Sequence, residues 1–445
     1  MVRLSGRHLH TAVSREIIKP SSPTPAHLQT YNLSSFDQLT TDAYMPMVIF
    51  YPNSKVHTNF HVKIMDMKNS LSRTLTQYYP FAGRLAKTTP TFVDCNDEGV
   101  EFLEAHNDNQ LSDFLNNTQH EDLDHLFPNG LVWKHWRSCS FENDRASPLA
   151  IQVNQFACGG IAVAMSLSHK IADGSSLCNF FNDWATTTRL RSTEHNNASP
   201  INPHFISFKN TNLNSQGFSL DKSRGGVVTR SFVFPRLKLN DLKLKVIAMT
   251  AGSEQPITNP TQMEVLNWLL YKCALKAATK NNFGSFKPTG FVFVNNARNK
   301  MAEPLPKTTI GNFYTLPAFS TENPNKVTPS NFISLLVNLK MEVQGLQNFK
   351  DVAEIPQHPS LQTVIEDVQR KIDDYYLSAS LCWYPMYEID FGWGKPIKAT
   401  IAGTYMRNCF LAMDARNGDG IEVLVSLVEE EMKIFQSDPE LRSFC

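Results

Sequence analysis

The chain has no excess charge of either sign. Its 445 residues include 42 Lys and Arg against 42 Asp and Glu, a formal net charge of zero. Proteins that hold nucleic acid or an acidic surface need a basic surplus, so nucleic acid is not an expected partner. Metal-ligand spacing is absent as well. Cys95, Cys139, Cys158, Cys178, Cys273, Cys382, Cys409 and Cys445 are scattered, with no C-x-x-C pair and no clustered histidines, so no metal is expected. Scattered thiols in a chain of this size fit a reducing compartment. No apolar run is long enough to cross a bilayer. Residues 1–15 are basic and polar and lack the apolar segment of a secretory signal. The expectation is a cytoplasmic monomer with no membrane partner, in which the glycosylation-like tripeptides Asn32-Leu33-Ser34 and Asn116-Asn117-Thr118 carry no meaning. No serine occupies a G-x-S-x-G elbow, which argues against an α/β-hydrolase.

What is present alternates between strand and helix patterns. A chain of this length is too long for one ordinary core and fits two domains. Met47–Tyr51 reads as a short buried strand ending at Pro52. Ile64–Tyr79 places Met67, Leu71, Leu75 and Tyr78 on one helical face, and Pro80 ends it. Thr91–Cys95 and Val100–Ala105 read as a hairpin through Asn96-Asp97-Glu98-Gly99, and Leu149–Phe156 with Ile161–Leu167 as another, turning at Gly159-Gly160. From Arg191 to Gly226 the chain turns polar and loses all period. A structureless run of that length inside one domain is unusual, so it reads as a crossover. The expected division is therefore 1–190, a crossover over 191–226, and 227–445. Beyond it, Val227–Phe234 reads as a strand. Thr261 and Glu264 form a capping-box pattern ahead of an apolar helix, and Phe291–Val294 is a continuous apolar strand. Helices are expected over Asn331–Leu346 and Leu361–Leu377, and a last hairpin joins Asn408–Met413 to Ile421–Leu427.

The chemistry centres on Ser168-His169-Lys170-Ile171-Ala172-Asp173-Gly174. It follows the alternating Ile161–Leu167 run and precedes Leu177, Phe180, Phe181 and Trp184 at helical spacing. His169 is thus expected at a strand end, held by the following turn at the edge of a sheet. An imidazole has an ordinary pKa of about 6.5 and can serve as a base near neutral pH. H-x-x-x-D alone is a weak signal, but a second stretch lies far downstream: Tyr387-Glu388-Ile389-Asp390-Phe391-Gly392-Trp393-Gly394-Lys395-Pro396. Together the two resemble the plant BAHD acyltransferases, whose marks are HxxxD and DFGWG in this order and at about this separation. Ile18-Lys19-Pro20, Tyr79-Pro80-Phe81-Ala82-Gly83-Arg84-Leu85, Cys158-Gly159-Gly160 and Ile310-Gly311-Asn312 resemble further pieces of that family. The similarity covers nearly the whole chain and is closest to the branch that holds alkaloid acetyltransferases and capsaicin synthase.

That resemblance implies two similar α/β mixed-sheet domains of chloramphenicol-acetyltransferase-like fold, with HxxxD in the first, DFGWG in the second and a tunnel between. It implies acyl transfer from acyl-CoA, acetyl-CoA in this branch, to a hydroxyl of an alkaloid or other specialised metabolite. No tightly bound cofactor is implied. His169 is the expected general base, and general-base help of this kind is worth roughly 10²–10⁴-fold. Asp173 invites a dyad with His169. In the family, however, the matching aspartate points away from the cleft and pairs with an arginine, here Arg298 in Val294-Asn295-Asn296-Ala297-Arg298. Asp390, Gly392, Trp393 and Gly394 are expected to be structural, since two glycines around a tryptophan suit a tight turn. Relatives with a T-S-W stretch draw oxyanion donors from it; the aligned residues are Ala379-Ser380-Leu381, leaving Ser380, a backbone amide or water to stand in. Lys170 reads either as a contact for a coenzyme A phosphate or as a solvated side chain. Asp37 reads either as a border of the cleft or as a turn residue. The alternatives are a non-catalytic relative that binds a ligand or partner, favoured by Ala379 and Leu381, and an N- or O-acyltransferase using a longer acyl-CoA. A hydrolase built on His169 and Asp173 lacks its serine elbow. Peptide-synthetase condensation domains carry a tandem histidine where this chain has Ser168.

Overall fold

The computed structural model describes residues 10–53, 59–86, 90–134, 139, 145–191, 202–208, 226–300, 303–343, 375–404 and 406–445. The chain divides into two compact units. The first comprises Met1–Gly217, Thr308–Asn312 and Pro385–Gly403, the second Phe218–Lys307, Phe313–Tyr384 and Thr404–Cys445. Each contains a six-stranded mixed sheet with helices, as expected of the fold class.

In the first unit the sheet runs in the order His10–Ile18, Val100–Asn107, Leu149–Phe156, Ile161–Ser168, Tyr44–Tyr51, Lys398–Ile401. Every residue of Tyr44–Tyr51 and Ile161–Ser168 is buried. Strands covered on both faces read as continuous apolar runs; Met47–Tyr51 reads that way in the sequence, whereas Ile161–Leu167 reads as alternating and is buried on both faces all the same. The expected hairpin of Leu149–Phe156 and Ile161–Leu167 is present and antiparallel, its second strand running one residue further, to Ser168. The Phe60–Gln77 helix buries Ile64, Met67, Leu71 and Leu75. It meets the Gly174–Arg191 helix where the Trp184 indole donates to Met67 O (3.1 Å) and the Ser70 and Thr188 hydroxyls bond at 2.7 Å.

Three expectations change here. The 91–105 hairpin does not exist. Phe92–Asp94 pairs with Thr30–Asn32 and Arg84–Leu85 in a separate four-stranded sheet, whereas Val100–Asn107 pairs with His10–Ile18 and Leu149–Phe156. The intervening turn redirects the chain: Gly99 sits at φ 90°, and the Asp97 carboxylate accepts from Thr24 N and Oγ1 at 2.7 Å each. DFGWG belongs to the first unit rather than to a C-terminal domain over 227–445, because Lys398–Ile401 pairs antiparallel with Met47–Phe50 and Tyr51 Oη donates to Ile389 O (2.7 Å). His169 does not lie at a sheet edge, because its strand is interior, flanked by Leu149–Phe156 and Tyr44–Tyr51. Most of the expected 191–226 crossover (192–201 and 209–225) lies outside the described residues.

The second unit orders Val227–Pro235, Gly420–Val428, Cys409–Asp414, Tyr375–Ser380, Thr289–Phe293 and Ala318–Thr321. The Gln262–Asn281 helix supplies much of its core through Leu266, Trp268, Leu269 and Tyr271. It opens with the expected box: Glu264 N donates to Thr261 Oγ1 (3.2 Å) and Thr261 N to Glu264 Oε2 (2.8 Å). The Cys409–Asp414/Gly420–Val428 hairpin is also present. Tyr375–Leu377, expected to end a helix, opens a strand instead, parallel to both Thr289–Phe293 and Cys409–Asp414. Its aromatic run suits an interior strand. Residues 361–374 and 344–346 of the expected helices lie outside the described residues. The Arg236–Thr250 helix matches no sequence expectation. It buries Leu239, Leu242 and Val246 but leaves Leu237, Leu244 and Met249 exposed, so no clean apolar face marks it.

Candidate active site

His169 follows directly on the Ile161–Ser168 strand, and its backbone N donates to Ala43 O (2.9 Å). Its imidazole is partly buried, with Nδ1 3.1 Å from Asn312 Oδ1. Burial pushes its pKa below the ordinary 6.5, outweighing the nearby Asp173 charge and the Asn312 contact, which act the other way.

Asn312 is held at three points. Its backbone N and its Nδ2 both donate to Asp37 Oδ1, at 2.9 and 2.8 Å, and Nδ2 also donates to His169 O at 2.7 Å. Asp37 is only 1% exposed. It is not a plain turn residue. It is the third residue of the Ser35–Leu39 helix and forms a capping box with Ser34, whose N (3.0 Å) and Oγ (2.7 Å) both donate to Asp37 Oδ2. Ser34 in turn accepts from Asp37 N at 3.1 Å. Burial raises the Asp37 pKa, and the bonds from Ser34 and Asn312 oppose it.

Asp173 immediately precedes the Gly174–Arg191 helix and caps it. Its Oδ1 accepts from Ser176 N and Ser176 Oγ, both at 3.0 Å, and its backbone O accepts from Leu177 N at 2.9 Å. The Ser176 hydroxyl also accepts from Gly311 N (3.1 Å). The Gly311-Asn312 dipeptide is thereby clamped, by Ser176 on one residue and Asp37 on the next. In a His–Asp dyad the carboxylate would engage Nδ1, the nitrogen that faces Asn312 here. Lys170 fits neither reading made of it. It is 2% exposed, and its Nζ donates to Gln38 O at 2.7 Å, next to Asp37 in the chain.

The DFGWG stretch is a turn. Asp390 Oδ1 accepts from Gly392 N (2.7 Å) and Gly394 N (2.9 Å), and those glycines have φ 96° and 98°, a region that favours glycine. Phe391 is buried edge-on against Trp184 (ring centroids 4.9 Å apart) and stacks on Trp393 (5.3 Å). Trp393 also meets the Tyr51 ring and lies 5.2 Å under Lys63 Nζ.

The remaining candidates belong to the second unit. Arg298 is buried with its guanidinium over the Phe313 ring (4.9 Å), and its backbone N donates to Asn296 Oδ1 (3.0 Å). Ser380 ends its strand exposed, and its Oγ accepts from Cys382 N (3.2 Å).

Sequence reasoning had Ile310-Gly311-Asn312 in hand but gave Asn312 no role. Its one signal is that Ile310-Gly311-Asn312 resembles a piece of the family, 143 residues from His169.

Comparison with known proteins places this geometry. The Transferase family model matches residues 10–442. Akuammiline synthase 1 of Alstonia scholaris is 35% identical over 97% of both chains, and deacetylvindoline O-acetyltransferase of Catharanthus roseus is 32% identical over 97% of both. The crystal structure of vinorine synthase aligns with a TM-score of 0.76 at 28% identity over 98% of each chain. The chain belongs to the BAHD family and is an acyltransferase.

Proposed function

We propose that this enzyme transfers an acyl group, acetyl in the first instance, from acyl-CoA to a hydroxyl of an alkaloid-like metabolite, with His169 as general base. In this scheme Nε2 of neutral His169 takes the proton from the acceptor hydroxyl as its oxygen attacks the thioester carbonyl. The tetrahedral intermediate collapses by breaking the C–S bond, and the imidazolium returns its proton to the departing thiolate of coenzyme A. No covalent enzyme intermediate is needed. One observation carries the base assignment: His169 stands at the end of the buried Ile161–Ser168 strand with its Nδ1 3.1 Å from Asn312 Oδ1, and burial acts to lower its pKa, which favours the neutral imidazole. Asp173, Arg298 and the Asp390–Gly394 turn are supports in this reading, and Ser380 is a candidate oxyanion donor. Two of the relatives, akuammiline synthase 1 and deacetylvindoline O-acetyltransferase, are named for alkaloid-like molecules, which supports that acceptor class. Cys95, Cys158, Cys178, Cys273, Cys382, Cys409 and Cys445 are free thiols, which supports a cytoplasmic enzyme, proposed to act as a monomer.

The test is incubation with a panel of acyl-CoA thioesters and plant alcohols, read by mass spectrometry, for the native protein and His169→Ala. The expected result is acetyl ester formation by the native protein and a loss of about 10²–10⁴-fold in the folded variant. Near-native turnover by His169→Ala would remove His169 from the chemistry.

A further inference from the structure

We propose that Asp37 is a positioning residue for acyl transfer, acting through Asn312 to fix which nitrogen of His169 carries the proton. The inference rests on the general-base reading above. A neutral imidazole has one donor and one acceptor nitrogen, and only the acceptor can take the proton of a hydroxyl. At His169 the backbone carbonyls of His169 and Ala172 also bond the imidazole, and Asn312 contributes the side-chain partner at Nδ1, through an amide with one donating and one accepting end.

The orientation of that amide follows from its partners. One end touches two acceptors at once, the Asp37 carboxylate at 2.8 Å and the His169 carbonyl at 2.7 Å. Only an NH2 group satisfies both. Turning the amide over would set its oxygen against a buried carboxylate and a carbonyl, leaving like partial charges in contact and three acceptors without a proton between them. The other end, 3.1 Å from Nδ1 of His169, is therefore the oxygen. An oxygen there requires Nδ1 to be the protonated nitrogen, which makes Nε2 the basic one.

Asp37 anchors this arrangement from both sides. Its Oδ1 receives the Asn312 side chain and also the Asn312 backbone N at 2.9 Å, so it fixes the residue's position as well as its rotation. Its Oδ2 is held by Ser34 in the capping box of the Ser35–Leu39 helix. A helix start is thus tied to a residue 275 positions away, and through it to the imidazole. Asp37 touches no reacting atom in this scheme, and its effect reaches the chemistry only as the tautomer of His169.

The experiment reads that tautomer directly. Protein labelled with 15N-histidine gives long-range 1H–15N correlations that separate Nδ1–H from Nε2–H imidazoles, with His169 assigned by its loss in His169→Gln. The native protein is expected to show His169 as Nδ1–H. In Asp37→Ala and Asn312→Ala the Nε2–H form should appear. kcat for acetyl-CoA and the acceptor found in the panel should fall about 10- to 100-fold with KM little changed, the size of loss expected when a functional histidine loses its outer hydrogen-bond partner. Asp37→Asn retains an oxygen that can accept from Asn312 and should recover most of both signals; Asn312→Ala covers the case in which Asp37→Ala fails to fold. An Nδ1–H imidazole with kcat within twofold of native in folded Asn312→Ala, or in Asp37→Ala if that folds, overturns the proposal. So does an Nε2–H imidazole in the native protein. Full activity of His169→Gln would instead strike the general-base reading, whatever the tautomer.

Discussion

Replacing Asp390 by alanine separates a structural DFGWG turn from a catalytic one. The Asp390 carboxylate accepts two backbone N–H bonds, from Gly392 at 2.7 Å and Gly394 at 2.9 Å. A hydrogen bond to an ionised group is worth about 1.5–3 kcal/mol net. Both glycines are exposed and water can replace the lost acceptor, so the pair together is worth about 2 kcal/mol rather than the sum of two buried bonds. For a unit of this size each kcal/mol moves the melting temperature by about 2–4 °C. The expected shift in Asp390→Ala is then roughly 4–8 °C downward. Phe391→Ala provides the scale. Phe391 is 1% exposed and packs on Trp184, Phe181, Tyr51 and Trp393, and emptying such a site costs about 3–5 kcal/mol. Differential scanning calorimetry should therefore rank native above Asp390→Ala above Phe391→Ala. At 25 °C, where it remains folded, Asp390→Ala should keep kcat within a few fold of native. An unshifted melting temperature combined with a rate loss of 100-fold or more would refute the structural assignment.

The pH dependence of kcat/KM should show an acidic limb set by His169. Its folded pKa lies below 6.5, so the neutral base is fully present at pH 7 and is lost as pH falls through that lower value; a limb centred at or above 6.5 contradicts the desolvation argument. In Asp173→Asn the limb should move to lower pH still, because the Asp173 charge is one of the influences that raise the His169 pKa; a limb moving upward would be the wrong sign. Asp173→Ala removes the cap of the Gly174–Arg191 helix and the two bonds from Ser176. It should lower stability by about 0.5–2 kcal/mol, measured by urea unfolding, and an unchanged midpoint would show that the cap contributes nothing.

Local rules carried the reading wherever an element is set by its own residues. The Thr261/Glu264 box, the Met67–Leu71–Leu75 stripe and the glycine-turned hairpin before His169 all depend on contacts a few residues apart, and each is found. The failures are elements decided by distant partners. Phe92–Asp94 and Val100–Asn107 carry hairpin spacing, yet each is claimed by a strand far along the chain, the first by Thr30–Asn32 and the second by His10–Ile18. Tyr375–Leu377 follows the same rule, since its two parallel neighbours make a strand of the expected helix end. Arg236–Thr250 is the converse case. It forms a helix although Leu237, Leu244 and Met249 blur its apolar face, so the periodicity that reveals other helices is not there to read.

The site divides along the same line. His169 and Asp173 are legible because strand, turn and helix cap follow one another within a dozen residues. Asn312 is not, because its role is a matter of which atoms face it: a carboxylate from residue 37, a carbonyl from residue 169 and a ring nitrogen, brought together over 275 positions of sequence. No spacing rule joins those residues, and an asparagine in a polar stretch has many bland uses. Asp37 shows why pattern alone undersells such groups. The Asn32–Asp37 stretch reads as a turn, whereas Ser34 and Asp37 cap a short helix. A helix cap needs one oxygen of the carboxylate, however, and Asp37 gives that oxygen to Ser34 while Asn312 takes the other twice. A buried aspartate with more acceptor capacity than its own helix can use must find donors elsewhere. Here those donors belong to the residue that faces the imidazole, so in the proposed scheme a single amide both satisfies the buried carboxylate and leaves Nε2 as the base.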